Sequence, residues 1–207
     1  MGDIGIFFRH DDADFRMARW QRPISPVVFG GDDATLSVFK GAIEAMCTLA
    51  GHPINETDPE QGANLLVFLF RDWAEVADVP DLDQLVPGIA KLAKKSQKDG
   101  TTQYRHFRFE ENGAIRAAFV FMRIDDEVAA QPAEELALAQ AAQVITLWGA
   151  GAFATKSPLA RLPGGKGAVL RPDVANLVRA IYDPAMPVAS QDPAQSLRLA
   201  ARVGKMA

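Results

Sequence analysis

Cysteine and histidine are scarce in this chain: one cysteine, Cys47, and three histidines, His10, His52 and His106, among 207 residues. A lone cysteine excludes an intrachain disulfide, a zinc ribbon and Cys-x-x-Cys redox chemistry. The histidines fall at the start of the chain, at the end of a predicted helix and in a predicted strand, too scattered to form a ligand set. No window approaches the roughly twenty apolar residues that a membrane-spanning helix needs. The opening "MGDIGIFFRHDD" has no basic n-region and no A-x-A cleavage site, and acids follow its short apolar run almost at once, so it does not read as an export signal. Without a leader, and without cysteines to pair, the expected compartment is the cytoplasm; the alternative is the periplasm or cell envelope, if the chain is a mature domain already cut from its leader.

Basic residues are also few. Twenty-two Lys and Arg stand against twenty-six Asp and Glu, a formal net charge of -4. Neutralising phosphates requires a basic face, so nucleic acid is not an expected partner. The balance is uneven: residues 161–207 hold 7 basic and 3 acidic residues, against 15 and 23 in residues 1–160. A solvated pair of C-terminal helices accounts for that excess.

What the chain has is hydrophobic content, 48%, enough to bury a full core. "PISPVVFGG" (23–31) reads as a strand ending in a glycine turn. "DDATLSVFKGAIEAMCTLAGH" (32–52) reads as a helix, capped by Asp32 or Asp33 and ended by Gly51, with Leu36, Phe39, Ile43, Met46 and Cys47 on one face. "NLLVFLF" (64–70) is continuously apolar at strand length, the pattern of a central strand buried on both faces. A helical stretch at 82–97 is broken by Pro87 and Gly88. Residues 102–124 form a predicted hairpin about "ENG", with Tyr104, His106, Arg108 and Glu110 on one face and Arg105, Phe107 and Phe109 on the other. A helix runs to Gly149, a Gly/Pro-punctuated loop holds "SPLARLPGGKG" (157–167), and helices follow at "RPDVANLVRAIY" and "DPAQSLRLAARV". The expected class is α+β: a mixed β-sheet packed with helices, residues 1–186 as a single domain and 187–207 as a C-terminal helical tail.

Several stretches carry a family resemblance. "ARWQRPISPVVFGG", "LAGHPI", "GANLLVFLF", the "EEL" and "AQ" of the helix after a strand, and "LRPDVANLVRAIYDPAM" lie in the same order as in a proteobacterial family known as domain of unknown function 2927, over about residues 18–186. The most specific pieces are "ARWQRPI", "GANLLVF" and "RAIYDPAM". The resemblance implies a zincin-like layout and, since many members look like exported proteins or lipoproteins, the cell envelope. In that family the helix after the last strand carries an acidic pair, a Gln and a Gly-Leu-x-Asn-Asp ending, often with a Cys just before it. Here Glu134 and Glu135 match the acidic pair, or, aligned backwards from "IYDP", Gln143 takes the place of the Gln and Ala139 and Gln140 those of the acids. The ending is replaced by "GAGAFATKSP" and the Cys is missing.

Chemistry independently argues against a working zinc site. Zinc peptidases of this kind present two His at i and i+4 on one helical face, with a Glu beside the first as general base. In "EELALAQAAQVITLWG" (134–149) the i,i+4 pairs are Glu134/Leu138 and Glu135/Ala139, which cannot close a metal site. No metal and no other cofactor is expected. "LPGGKGA" lacks the first Gly and the Ser/Thr of a phosphate loop. "RHDDADF" (9–15) clusters Asp11, Asp12 and Asp14 but has Arg16 and Arg22 where a calcium loop needs Gly and Glu, so a solvated charged start is expected. Asn55-Glu56-Thr57 is a formal glycosylation sequon.

Two features of the helix invite a functional reading. Glu134 and Glu135 oppose the helix dipole at the first turn, a structural role worth about 0.3–1 kcal/mol each. They are expected to be exposed, while Leu136, Leu138, Val144, Ile145 and Leu147 supply the buried face. Trp148, beside "GAGAFA", has the character of a groove floor or interface anchor. With Gln143 and with Tyr182 of "RAIYDPAM", these make the candidate binding set: Glu134, Glu135, Gln143, Trp148 and Tyr182, with no catalytic residue among them. The expected function is a non-catalytic binding or assembly module for a protein or peptide partner. The alternative is a metal-independent hydrolase of peptide or cell-wall material, with Glu134 or Glu135 as general base.

Overall fold

The computed structural model describes residues 4–11, 15–56, 62–165 and 167–206. In chain order it contains β1 (Met17–Ala18), β2 (Pro26–Phe29), α1 (Asp33–Ala50), β3 (Leu65–Phe70), α2 (Trp73–Ala77), α3 (Leu82–Leu85), α4 (Ile89–Lys98), β4 (Gln103–Phe109) and β5 (Ile115–Arg123). It continues with α5 (Asp126–Ala129), α6 (Ala133–Val144), β6 (Leu159–Arg161), β7 (Ala168–Leu170), α7 (Pro172–Tyr182), β8 (Ala189–Ser190) and α8 (Gln195–Gly204). This is the α+β architecture expected from the sequence. Among the described residues no helix is long and apolar enough to cross a membrane.

The central sheet has the order β2-β3-β5-β4, the first three strands parallel and β4 antiparallel on the edge. Both faces are covered, which is why β3 and β5 read as continuous apolar runs. Leu65, Val67, Ala118, Val120 and Met122 point into the larger core with α1, α6 and α7. Phe119 and Phe121 point the other way, against Trp73, Val76, Leu82 and Ile89 of α2, α3 and α4. On that second face Phe29, Phe68 and Phe121 lie in register across three strands and stack at 5.0 and 5.2 Å, with Tyr104 of the fourth strand 6.3 Å beyond. Such cross-strand aromatic pairs pin the register.

The caps of α1 are local and were readable: Asp32 accepts from the Thr35 N–H at 2.8 Å, and Gly51 takes the left-handed conformation that ends the helix. Several elements depart from the sequence reading. Helix α2 was not foreseen, although "RDWAEV" is a capping box: Asp72 accepts from the first turn, and Glu75 Oε1 accepts from the Asp72 N–H at 2.8 Å. The stretch 157–167 is not wholly loop, since β6 and β7 pair as a short antiparallel hairpin. Lys166 lies outside the described residues, as do Asp12, Asp14 and Thr57, so the aspartate cluster and the sequon are only partly described.

The helix after the sheet stops at Val144 and not at Gly149. Val144, Ile145 and Thr146 are consecutive β-branched residues, which fit extended backbone better than a helix. Side-chain donors, two of them remote in sequence, then take over the terminal carbonyls. Trp20 Nε1 donates to Val144 O at 2.8 Å, the Tyr182 hydroxyl donates to Ile145 O at 2.7 Å, and Trp148 Nε1 donates to Ala142 O at 2.8 Å. Beyond Ile145 the chain runs along the N-terminal segment, with Thr146 bridged to Arg19, Leu147 N–H donating to Ala18 O and Gly149 N–H donating to Phe7 O.

Neither end of the described chain is loose. In the stretch 9–15, where a solvated start was expected, Phe15 is buried while Arg9 and Asp11 are exposed, and Ile4 and Phe8 just before it are buried. Within 187–207, β8 pairs with β1, and Leu199 and Val203 of α8 enter the same core as Ile4 and Phe8.

Candidate functional site

Edge strand β4 exposes one row of backbone groups. Arg123 N–H donates to Thr102 O at 2.8 Å, and this pairing directs the backbone groups of Tyr104 and His106 toward β5. By antiparallel alternation the N–H and C=O of Gln103, Arg105 and Phe107 therefore point outward, and among the described residues nothing pairs with them. An unpaired edge is a template for another strand.

Beside this edge lies a cleft of about 490 Å³, between β4, the end of α6 and the segment that follows it. Trp148 and Phe153 form an aromatic wall, ring centroids 5.1 Å apart, and Phe7 and Phe8 hold Trp148 from behind at 6.0 and 5.8 Å. Gln143 and His10 add polar groups to the lining. Gln143 Nε2 donates to Ala139 O at 3.1 Å, one turn back on α6.

Arg105 supplies the charge. Its side chain stands on the α6 side of the sheet, where Nη2 donates to Gln140 Oε1 at 2.8 Å and to Gln103 Oε1 at 2.9 Å. Gln140 Nε2 donates to the same Gln103 oxygen at 2.9 Å, closing a triangle of the two amides and one edge of the guanidinium. Gln140 is buried, so this network is part of the fold. Nε of Arg105 is sealed from solvent without a hydrogen-bond partner. Nη1 has no partner among the described residues either, and is not sealed. Among the described residues no carboxylate pairs with Arg105 and no acid lines the cleft. Desolvation pushes the guanidinium down to about 10, so it remains charged at neutral pH.

Of the residues singled out from sequence, Gln143 and Trp148 meet in this cleft and the other three do not. Glu134 is exposed on the first turn of α6. Glu135, expected to be exposed, is half-buried, with its Oε1 3.7 Å from Arg161 Nη1 of the β6–β7 hairpin. Tyr182 is buried behind the end of α6. Its hydroxyl donates to Ile145 and accepts from the Trp20 N–H at 3.4 Å, its ring meets His52 edge-on at 5.4 Å, and the Arg19 guanidinium lies 5.3 Å from its centroid. The buried face of α6 also differs from expectation: Ala137, Gln140, Ala141 and Ala142 fill it with Val144, while Leu136 and Leu138 sit half-buried at its margin. Small residues are needed there because α1 packs closely across the helix.

Arg105, Gln103 and Gln140 were not among the sequence candidates. The available signal was the alternation of β4, which puts a lone arginine on the same face as Phe107 and Phe109.

A second crevice, of about 430 Å³, opens at the carboxyl ends of β2, β3 and β5, a common ligand position in open sheets. Its acids are already committed: Asp32 caps α1, and Glu75 Oε1 accepts the N–H groups of Arg71 and Asp72 at 3.0 and 2.8 Å. Among the described residues no three His, Cys, Asp or Glu side chains converge as a metal site.

Comparison of the chain with protein-family models, curated proteins and solved structures gives no match in any of the three.

Proposed function

We propose that this chain is a non-catalytic binding module that receives an extended peptide segment of a protein partner in the β4–α6 cleft. The observation that carries the reading is the row of outward backbone groups at Gln103, Arg105 and Phe107, set directly beside an aromatic-walled cleft. Main-chain pairing supplies affinity without chemistry, and the cleft supplies selectivity. We further place the chain, through the segments quoted above, as a relative of domain of unknown function 2927 with a zincin-like layout: α6 follows the last strand of the sheet, the placement that the resemblance gives to the zincin helix. In such a relative the active-site register has decayed and the surrounding groove persists.

The hydrolase alternative gains no support from the placement of its acids. Glu134 and Glu135 occupy the first turn of α6, and Gln143 of the cleft the last, roughly 12 Å away along the axis.

Selection of peptides from a random displayed library, followed by amide hydrogen exchange, tests the reading. In the free protein the amides of Gln103, Arg105 and Phe107 exchange fast for strand residues, and selected peptides slow them. Selected peptides that protect a different surface and leave these amides unchanged remove the basis of the proposal.

A further inference from the structure

We propose that Arg105 is a carboxylate-recognition residue, so that the peptide strand added to β4 carries an Asp or Glu side chain beside Arg105 and an apolar side chain two residues away, beside Phe107. This rests on the cleft reading above and adds to it the chemistry of the occupant.

A guanidinium taken from water requires a counter-charge or a full set of acceptors, since its donors lose water that nothing replaces. Arg105 has only part of that set. Gln103 and Gln140 take up Nη2, Nε is sealed without a partner, and Nη1 stays open. Of the other arginines set low in the surface, Arg123 pairs with Asp125 at 2.9 Å, Arg202 with Asp183 at 3.3 Å and Arg171 with Asp173, while Arg19 donates to Met186 O at 3.5 Å and lies 5.3 Å from the centroid of the Tyr182 ring. Arg105 has no carboxylate partner among the described residues and, unlike Arg19 over the Tyr182 ring, it lines the cleft beside the free edge. Two amides also fix the guanidinium in place, so little side-chain entropy is lost when an anion binds.

Geometry selects an acidic side chain over a chain terminus. Arg105 projects from the face of the sheet, and on an added strand the groups that project on that same face are side chains, every second residue. A residue opposite Phe107 is then two positions from the one opposite Arg105, next to the wall of Trp148 and Phe153. An antiparallel peptide gives the order apolar-x-acid, and a parallel peptide acid-x-apolar.

The test uses the intact protein with two blocked pentapeptides, acetyl-Thr-Phe-Thr-Glu-Thr-amide and acetyl-Thr-Glu-Thr-Phe-Thr-amide, and with the Gln counterpart of each. Binding is followed by NMR shifts and exchange of the Gln103, Arg105 and Phe107 amides. Expected is that one of the two Glu peptides binds roughly ten- to a hundredfold more tightly than its Gln counterpart, the range for hydrogen bonds to a charged group. That preference falls in Arg105→Lys and disappears in Arg105→Met. The comparison on the unmodified protein stands even if Arg105→Met does not fold.

Glu and Gln peptides that bind alike and protect the β4 amides overturn carboxylate recognition and leave the cleft reading intact. No binding by any of the four, while library-selected peptides protect the edge, does the same. Failure of every peptide to protect the edge overturns both. Sodium acetate that displaces the peptide at equal concentration marks a pocket for small free carboxylates, and edge amides protected in the protein alone but freed on dilution mark a second copy of this chain. Either result overturns the peptide occupant.

Discussion

The indole Nε1 of Trp20 lies 2.8 Å from the carbonyl oxygen of Val144, so a residue near the start of the chain closes a helix 124 positions later. Trp20 is fully buried and no water can replace its N–H. Trp20→Phe keeps most of the ring but leaves that carbonyl unsatisfied, an expected loss of about 1–3 kcal/mol. Trp20→Ala adds a cavity and is expected to cost about 3–5 kcal/mol. Urea unfolding of the two variants checks both the order and the sizes.

Helix α6 gives a graded series. Glu134→Gln with Glu135→Gln removes helix-dipole interactions and one long contact from the half-buried Glu135 to the exposed Arg161, an expected cost under about 1–2 kcal/mol. Leu138→Ala is expected to cost less than the roughly 2–5 kcal/mol of a full core deletion, because Leu138 is only half-buried. Leu177→Ala in α7, at 2% exposure, falls within that range. Thermal unfolding that ranks Leu138→Ala above Leu177→Ala contradicts this ordering.

His52 makes stability depend on pH. Burial, and then the nearby Arg19, hold its pKa below the usual histidine value, against the opposing hydrogen bond in which Nε2 donates to Arg22 O at 2.8 Å. The folded state therefore binds a proton less readily than the unfolded chain. Stability is full above the ordinary value of 6.5 and declines as the pH falls through it toward the lower folded value. His106 on β4 is shifted in the same direction, by burial and by Arg108. Between pH 7.5 and 5.5, His52→Gln is expected to flatten the fall in Tm without abolishing it. An equal slope in both proteins argues that His52 carries none of the effect.

Gly149 tolerates no side chain. A Cβ there would stand 2.1 Å from Arg9 O and 2.8 Å from Arg9 N, both backbone atoms that cannot swing aside. Gly149→Ala is expected to cost at least the roughly 1–3 kcal/mol of an overpacked site, and to increase amide exchange at Gly149, whose N–H donates to Phe7 O. Gly151→Ala, where no atom lies within 4 Å of the added Cβ, is the matched control.

Cys47 is expected to be inert in the native state. Burial, and then Glu44, push its thiol up to about 11, so little thiolate exists at neutral pH. A thiol reagent is expected to label it only as fast as the protein unfolds.

The parts of this fold that were legible in the sequence are those whose determinants are local. Asp32 and Gly51 bracket α1 within its own segment, the run at 65–70 announces a strand buried on both sides, and Glu111-Asn112-Gly113 announces the hairpin turn. The true end of α6 was not legible, because the donors that replace its next turn come from Trp20 and Tyr182, remote in sequence. The site divides in the same way. Trp148 was visible as an aromatic beside small residues. The open state of Arg105 emerges only once Gln103 and Gln140 are placed about it and no acid is found nearby among the described residues, a fact about two elements, β4 and α6.

The meeting of Ile4 and Phe8 with Leu199 and Val203 in one core bears on how the chain assembles. A ribosome releases the sheet strands, α1 and α6 well before α8, yet the pocket for Leu199 stays open until that helix has been made. Until then the growing chain exposes part of its own interior. Closure joins the two most distant stretches of the described sequence, the contact type that most slows folding. Apolar surface left open for that interval is surface through which an incomplete chain can aggregate.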